Sequence, residues 1–204
     1  MTRGRFVTIE GIDGSGKSTQ MALLADTLRA QGRRVVVTRE PGGTVLGEQL
    51  REIVLMGDGP IEPAAEALIF AAARAQLVRT EIAPALEAGS WVLADRFLDS
   101  SLAYQGAARG LGIDVVRRAN ALSVEGCLPD LTIVLDVPVA MALARETGPD
   151  DRIEAEGARL QQAVADGYRE IAQAEPERVI LVPADDSPEA VGKRVAELVA
   201  ERLG

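Results

Sequence analysis

The residues best suited to chemistry form a glycine-rich loop close to the N-terminus. Residues 11–18 read Gly-Ile-Asp-Gly-Ser-Gly-Lys-Ser, which fits the phosphate-binding pattern G-x-x-x-x-G-K-[ST]. The backbone N–H groups of such a loop, with the positive end of the helix that follows, bind phosphate oxygens. Within this pattern Lys17 reaches the β- and γ-phosphates, and the Ser18 hydroxyl is a magnesium ligand. The sequence therefore predicts a site for a nucleoside triphosphate made of Gly11, Ile12, Asp13, Gly14, Ser15, Gly16, Lys17 and Ser18.

A second group of polar residues follows an apolar run later in the chain. Residues 91–94 read Trp-Val-Leu-Ala, and Asp95 comes directly after them. Phosphate-loop enzymes place at the end of such a strand the carboxylate that holds magnesium, directly or through water. Taken alone, the pattern also fits an alternative in which Asp95 binds no metal and its carboxylate only caps the next turn. Arg96 is the next residue, and a cation at this position is suited to a second phosphate group.

Composition limits the kinds of partner that the chain can have. The net charge of the 204 residues is −9, and the arginine pairs at 33–34 and 117–118 are isolated, so a nucleic-acid groove is not expected. The single cysteine, Cys127, excludes an intramolecular disulfide, and the lack of histidine argues against a zinc site. No apolar run approaches the length of a membrane span, and the first strand begins too early for a signal peptide. We therefore expect a cytoplasmic protein that binds neither nucleic acid nor membrane.

The elements that must position these residues alternate between strands and helices. Apolar, β-branched runs predict five strands at residues 6–10, 35–37, 91–94, 131–135 and 179–182. Helical periodicity predicts helices over residues 17–31, 46–56, 63–87 and 188–203, the third of them bent near Pro84. It also predicts one or two short helices within residues 100–125, and one helix on each side of the polar stretch 146–154. This order predicts one α/β domain over residues 1–204, a three-layer sandwich of the phosphate-loop NTPase type. Its five-stranded parallel sheet would have helices on both faces and ligands at the carboxyl ends of its strands.

Five further motifs, in order along the chain, resemble those of bacterial thymidylate kinases. Residues 38–44 read T-R-E-P-G-G-T, and residues 95–106 resemble the family pattern D-R-[YH]-x-x-S-x-x-A-Y-Q-G, with Phe97 in place of its Tyr or His. Shorter matches are L-x-F-x-A-x-R at 68–74, P-D-L-T at 129–132 and D-R-x-E at 151–154. The resemblance covers residues 6 to about 155. It implies a homodimeric kinase that phosphorylates dTMP to dTDP with ATP and Mg²⁺.

The resemblance also implies roles for the residues of a dTMP site. Phe70 would stack on the thymine ring, and Arg74, one helical turn further on, would donate to thymine O4. Cytosine has a donor amine there, so an arginine would reject it. Tyr104 would lie where a ribose 2′-OH needs space, Asp13 would contact the 3′-OH and help to hold magnesium, and Arg96 would bind the acceptor phosphate. Further contacts are implied for Arg39, Glu40, Arg51, Ser100, Ser101 and Gln105.

A mobile lid at about residues 145–154 is the last feature that the resemblance implies. One class of the family has a catalytic arginine in the phosphate loop, where this chain has Ser15 or its neighbour, and the other class supplies arginines from the lid. By elimination the chain fits the lid-arginine class, and its candidates are Arg145 and Arg152. We expect Arg152 to act beside Lys17 and Arg96 at the transferred phosphoryl group, and Arg145 to flank the adenine.

Three other functions are compatible with the phosphate loop alone. The nearest is a kinase for another nucleoside monophosphate on the same fold. A GTP-dependent switch would carry an N-K-x-D motif, but the only asparagine, Asn120, is followed by alanine. An ATPase that drives the assembly of partners would hydrolyse ATP without a nucleotide acceptor, which an assay of ADP release distinguishes.

Overall fold

A parallel sheet of five strands forms the centre of the computed structural model, which describes residues 3–57, 59–145, 152–153 and 156–204. The strand order is β2-β3-β1-β4-β5. The strands are β1 (Phe6–Glu10), β2 (Val35–Arg39), β3 (Trp91–Asp95), β4 (Leu131–Asp136) and β5 (Val179–Pro183). The predicted α/β fold with a five-stranded parallel sheet is therefore confirmed.

The central strand β1 fixes the place of the site. All five of its residues are buried, and because successive side chains point to opposite faces of a sheet, both faces are covered. Its parallel neighbour β3 pairs with it so that Ile9 lies opposite Asp95. The loop after β1 and the residues after β3 therefore emerge side by side at the carboxyl edge of the sheet, which is where the sequence predicts the two phosphate sites.

Helices cover the sheet, and most of their bounds follow the predicted periodicity, but the region 100–125, predicted as one or two helices, is divided into three short helices and a π-helical segment. The helices are α1 (Lys17–Ala30), α2 (Val45–Met56), α3 (Pro63–Leu77), α4 (Ala83–Glu87), α5 (Leu98–Ser101), α6 (Ile113–Ala119), α7 (Ala121–Val124), α8 (Val139–Arg145), α9 (Gly157–Ala174) and α10 (Pro188–Leu203). Two π-helical segments, Val78–Ile82 and Leu102–Ala108, join α3 to α4 and extend α5. The predicted bend near Pro84 takes the form of the first π segment, just before a proline that has no N–H to give to a helix.

Helix α9 packs closely against the second π segment, which carries several predicted site residues. Gly167 allows this approach, because a Cβ there would lie 2.8 Å from the Cβ of Ala107 and 3.2 Å from the Cα of Ala103. On another side of the molecule, α1 packs against α10 and against β3. None of the helices in the described part of the chain is long and apolar enough to cross a membrane.

Candidate active site

The loop between β1 and α1 has the shape of a phosphate cradle. Gly14 and Gly16 adopt φ angles of 70° and 95°, in the left-handed region that favours glycine. A Cβ on Gly14 would lie 2.1 Å from the carbonyl oxygen of Ala142, so a larger residue would not fit. Gly16 precedes α1 without a side-chain cap, which leaves the first N–H groups of the helix to bind an anion.

Lys17 is buried within this loop. Its Nζ donates to the carbonyl oxygens of Gly11 at 3.2 Å and Ile12 at 2.9 Å, and it lies 3.8 Å from Oδ1 of Asp13. Burial lowers the pKa of the Lys17 ammonium, and the nearby Arg96 guanidinium lowers it further. The structure therefore brings the predicted lysine to the phosphate loop and holds its charge next to the loop's own carboxylate.

The carboxylate of Asp13 joins the phosphate loop to the residues that follow β3. Its Oδ1 accepts from Nη2 of Arg96, and its Oδ2 accepts from the Tyr104 hydroxyl at 3.0 Å. Nη2 of Arg96 also donates to the Tyr104 hydroxyl at 3.2 Å. Burial alone would raise the pKa of Asp13, but Arg96 and Lys17 together hold it well below its usual range. The ionised carboxylate of Asp13 therefore contacts residues of both predicted phosphate sites.

Arg96 has a backbone conformation that few non-glycine residues adopt, with φ at 68°. The buried carboxylate of Glu10 supports this turn, because it accepts from the N–H of Phe97 at 2.7 Å and from the Ser100 hydroxyl at 2.6 Å. The Tyr168 hydroxyl donates to the same carboxylate at 2.8 Å. Burial raises the pKa of Glu10 to about 7, and the neighbouring Asp99 contributes in the same direction.

A cavity of about 110 Å³ lies beside Arg96 and has both an aromatic and a polar wall. Phe70, Leu55 and Ile153 supply apolar surface, while serines and an amide line the other side. The structure brings nine of the eleven predicted acceptor residues to this cavity: Asp13, Glu40, Arg51, Phe70, Arg96, Ser100, Ser101, Tyr104 and Gln105.

Of the other two predicted residues, Arg39 lines the larger cavity described below, and Arg74 lines neither cavity. The structure thus corrects the predicted position of Arg74: its side chain is 1% exposed and lies behind Ser101, whose hydroxyl accepts from Nη2 at 3.0 Å. The guanidinium also donates to Glu40 Oε2 from Nε at 2.9 Å and from Nη2 at 2.6 Å, and to Asn120 and the Phe97 carbonyl. Helical spacing correctly gave Arg74 the side of α3 that faces the site, but these buried acceptors draw it below the cavity surface.

A larger cavity of about 790 Å³ follows the phosphate loop. It runs from the loop to Arg145 and to the start of α10, where Ala184, Asp186, Pro188 and Val191 line it. The two cavities share Asp13, Glu40, Arg51 and Arg96 as a common wall. Two phosphate-bearing molecules bound in them would therefore meet between Lys17 and Arg96.

The predicted magnesium residues lie together in the larger cavity. The Ser18 hydroxyl is 3.4 Å from Oδ2 of Asp95, and both residues line the larger cavity. Mg²⁺ is usually held by one or two carboxylates together with phosphate oxygens and water, so one hydroxyl and one carboxylate fit this ion when a phosphate is bound.

The two lid arginines occupy different places. Arg145, the last residue of α8, donates to the Ala184 carbonyl from Nη1 at 3.3 Å and lines the larger cavity. Arg152 does not line that cavity: it donates to the Val54 carbonyl at 2.8 Å and to the buried carboxylate of Glu66. The structure therefore does not bring Arg152 to the phosphate loop, because the buried carboxylate of Glu66 holds its guanidinium; its neighbour Ile153 lines the smaller cavity. Most of the predicted lid, residues 146–151 and 154–155, lies outside the described residues.

Sequence reasoning missed several residues of this site. Glu10, Tyr168 and Gln161 are buried polar residues that hold the predicted ones in place, and Leu55 and Ile153 line the smaller cavity. A glutamate at the end of an apolar strand was the one signal available for Glu10. Gln161 and Tyr168 lie on α9 about 150 residues from their partners, so local pattern gave no indication of their role.

Comparisons with known proteins agree on one family. A family model described as thymidylate kinase matches residues 9–195 of the chain. A thymidylate kinase from Bradyrhizobium sp. (strain ORS 278) is 47% identical over 207 residues, which cover 98% of this chain and 92% of the relative. One from Synechococcus sp. (strain JA-2-3B'a(2-13)) is 47% identical, covering 97% of this chain and 95% of the relative. Another, from Halothermothrix orenii, is 48% identical and covers 95% of each chain.

Proposed function

The chain belongs to the thymidylate kinase family, and from this membership and the geometry of the site we propose how its residues share the reaction. The reaction is the transfer of the γ-phosphoryl group of ATP to dTMP, giving ADP and dTDP, with Mg²⁺. The observation that carries the proposal is the wall of Asp13 and Arg96 that the two cavities share. In-line transfer requires the donor and acceptor phosphates to meet end to end, and a shared charged wall is where they can do so.

We assign ATP to the larger cavity. The N–H groups after Gly16 and the Lys17 ammonium bind its β- and γ-phosphates, and its adenine lies near Arg145 and α10. Ser18 and Asp95 would hold magnesium together with the phosphates, and the ion would supply positive charge to neutralise the phosphoryl oxygens. The acceptor oxygen belongs to a phosphate that is already ionised near pH 7, so no general base is needed.

We assign dTMP to the smaller cavity, with its phosphate at Arg96 and its base against Phe70. Tyr104 is held by Asp13 and Arg96, so its ring is fixed where the sugar would lie. Ser101 and Gln105 present polar atoms to the base. Arg74 donates to the hydroxyl of Ser101 and so affects base choice from behind, and it reaches thymine O4 only if its guanidinium moves toward the cavity. The predicted contact with O4 stays a proposal.

Four features of the whole protein also remain proposals. We take residues 1–204 as one kinase domain of the lid-arginine class, located in the cytoplasm. We propose that the active form is a homodimer that packs through the helical face of α2 and α3, which lie against each other. Ile53, Met56 and Leu68 on these helices are 51%, 71% and 59% exposed, and a dimer interface here would remove their apolar surface from water. Sedimentation of the wild type and of Leu68→Glu tests this: the variant is expected to dissociate.

The direct test of acceptor choice is a coupled assay of ADP release with dTMP, dUMP, dCMP, GMP and AMP side by side. We expect the highest kcat/KM for dTMP and little release without an acceptor. Asp13→Asn tests the shared wall, since it removes the charge that holds Arg96. It should raise the KM for dTMP, and a variant with the wild-type KM would contradict the proposed role of Asp13.

A further inference from the structure

Gln161, on helix α9, makes paired contacts with the phosphate loop. Its side chain is buried, and its Nε2 donates to Oδ2 of Asp13 at 3.0 Å. Its Oε1 accepts from the backbone N–H of the same aspartate at 3.3 Å. One amide group thus contacts both the main chain and the side chain of Asp13, across 148 residues of sequence.

Two contacts from one buried amide fix the direction of the aspartate. A single hydrogen bond would let the carboxylate turn about its side-chain bonds, whereas the bond to the backbone N–H also fixes the loop from which the side chain leaves. Oδ2 of Asp13 accepts hydrogen bonds from the Gln161 amide and the Tyr104 hydroxyl, and Oδ1 accepts from Arg96. The amide is neutral and so leaves the carboxylate's charge available to Arg96.

The helix that carries Gln161 is the helix that follows the predicted lid. Gln161 lies about one turn into α9, which begins at Gly157. Just before the helix, Glu156 forms an ion pair with Arg109, and Ile153 lines the smaller cavity. A displacement of the start of α9 would therefore change the Gln161 contacts and the cavity wall together.

We propose that Gln161 is a positioning residue, which orients Asp13 and through it Arg96 for binding of the acceptor phosphate. This inference rests on the proposed roles of Asp13 and Arg96. Gln161 should affect binding of the acceptor rather than of ATP. It contacts Asp13, and Asp13 in turn binds Tyr104 and Arg96, which line the smaller cavity. On the proposed assignment the triphosphate is bound chiefly by the N–H groups at the start of α1 and by Lys17, whereas the loop N–H that Gln161 contacts is that of Asp13.

The test compares Gln161→Met, Gln161→Glu and a control on the same helix. Methionine keeps the length of the side chain and removes both hydrogen bonds, while glutamate places a second carboxylate beside Asp13. The control is Gln162→Met, since Gln162 is exposed and, among the described residues, its side chain donates to Asp166 on its own helix at 3.0 Å. For each variant, kcat, the KM for dTMP and the KM for ATP are measured, together with urea unfolding.

We expect Gln161→Met to raise the KM for dTMP about tenfold or more, the equivalent of one hydrogen bond to a charged group, with a smaller change in the KM for ATP. Gln161→Glu should raise it further, and Gln162→Met should match the wild type. Equal rises in both KM values would indicate general loosening of the loop and would overturn the proposal, as would a KM for dTMP no different from that of the control.

Asp13→Asn separates this inference from the proposal on which it rests. If Asp13→Asn raises the KM for dTMP and the Gln161 variants do not, only the role of Gln161 is wrong. If neither changes it, the role of Asp13 is wrong as well. In the double variant Asp13→Asn/Gln161→Met, the second substitution should add little, because residues that act through one another are not additive.

Discussion

Replacing Arg74 by methionine would test both the buried network and the choice of base. Methionine keeps much of the side-chain length but removes a guanidinium that is 1% exposed. The acceptors that lose their partner are Glu40, Asn120, the Phe97 carbonyl and the Ser101 hydroxyl. Of these acceptors, the Glu40 carboxylate should contribute most to the loss of stability, because it is buried and accepts two hydrogen bonds from Arg74.

The expected loss of stability follows from that carboxylate. Breaking a buried ion pair by removing one partner costs about 3–5 kcal/mol. Burial already raises the pKa of Glu40 to about 7, although Arg74 opposes this shift. Without the arginine, the Glu40 carboxyl is neutral near pH 7, so the loss of stability should lie nearer about 3 than about 5 kcal/mol. For a protein of this size, 3–5 kcal/mol corresponds to a fall in Tm of about 6–20 °C.

Urea unfolding and steady-state kinetics together decide the outcome. Arg74→Met should unfold at a lower urea concentration than the wild type, and Arg74→Met/Glu40→Gln should recover part of the loss because no unmatched carboxyl remains. An unfolding midpoint equal to that of the wild type would refute the reasoning about the buried pair. The ratio of kcat/KM for dTMP to that for dCMP should fall by about 5- to 150-fold, the range for 1–3 kcal/mol. If the folded variant keeps the wild-type ratio, the predicted contact with thymine O4 is wrong.

Three further predictions concern other residues of the site. Lys17→Ala should lower kcat by orders of magnitude with an unchanged circular dichroism spectrum, and near-wild-type turnover in the folded variant would contradict the assignment of the phosphate loop. Arg145→Ala should mainly raise the KM for ATP, because Arg145 lines the larger cavity. Arg152→Ala should lower kcat more only if substrate binding moves its guanidinium away from Glu66, and wild-type kcat in both single variants and in the double variant would place the catalytic cation elsewhere. Glu10 has a pKa of about 7 in the folded protein against an ordinary value of 4.5, so the folded state keeps the proton longer and stability falls as the pH rises between these values. Glu10→Gln should remove up to about 3 kcal/mol of that decline, measured by urea unfolding near pH 5 and pH 8, and an equal decline in both proteins would contradict the assignment.

The fold and the backbone of the site could be predicted because their signals are local. Apolar runs marked the five strands, and the loop at 11–18 carried its own spacing. Parallel pairing then brings the ends of neighbouring strands together, so Asp95 and Arg96 had to lie near the phosphate loop. These inferences need no knowledge of side-chain partners, and the geometry agrees with them.

The depth of a side chain could not be predicted in the same way. Spacing on α3 gave Arg74 the correct face, but the acceptors that hold it, Glu40 and Asn120, lie 34 and 46 residues away in sequence. Arg152 was expected at the phosphates on the strength of its motif, while Glu66, 86 residues away, holds its guanidinium instead. The position of a buried charged side chain depends on the oppositely charged residue that pairs with it, and sequence pattern alone does not identify that residue.

The scarcity of lysine has a consequence for the chemical labelling of this protein. Of the two lysines, Lys193 has a side chain 77% exposed, whereas Lys17 is 10% exposed and its Nζ is directed into the phosphate loop. Acylating reagents should therefore modify Lys193 quickly and Lys17 slowly. Since a nucleotide bound in the loop would cover the amine of Lys17, the rate of acylation at this one residue reports occupancy of the donor site. Lys193, on the same chain, supplies the internal reference for reagent activity.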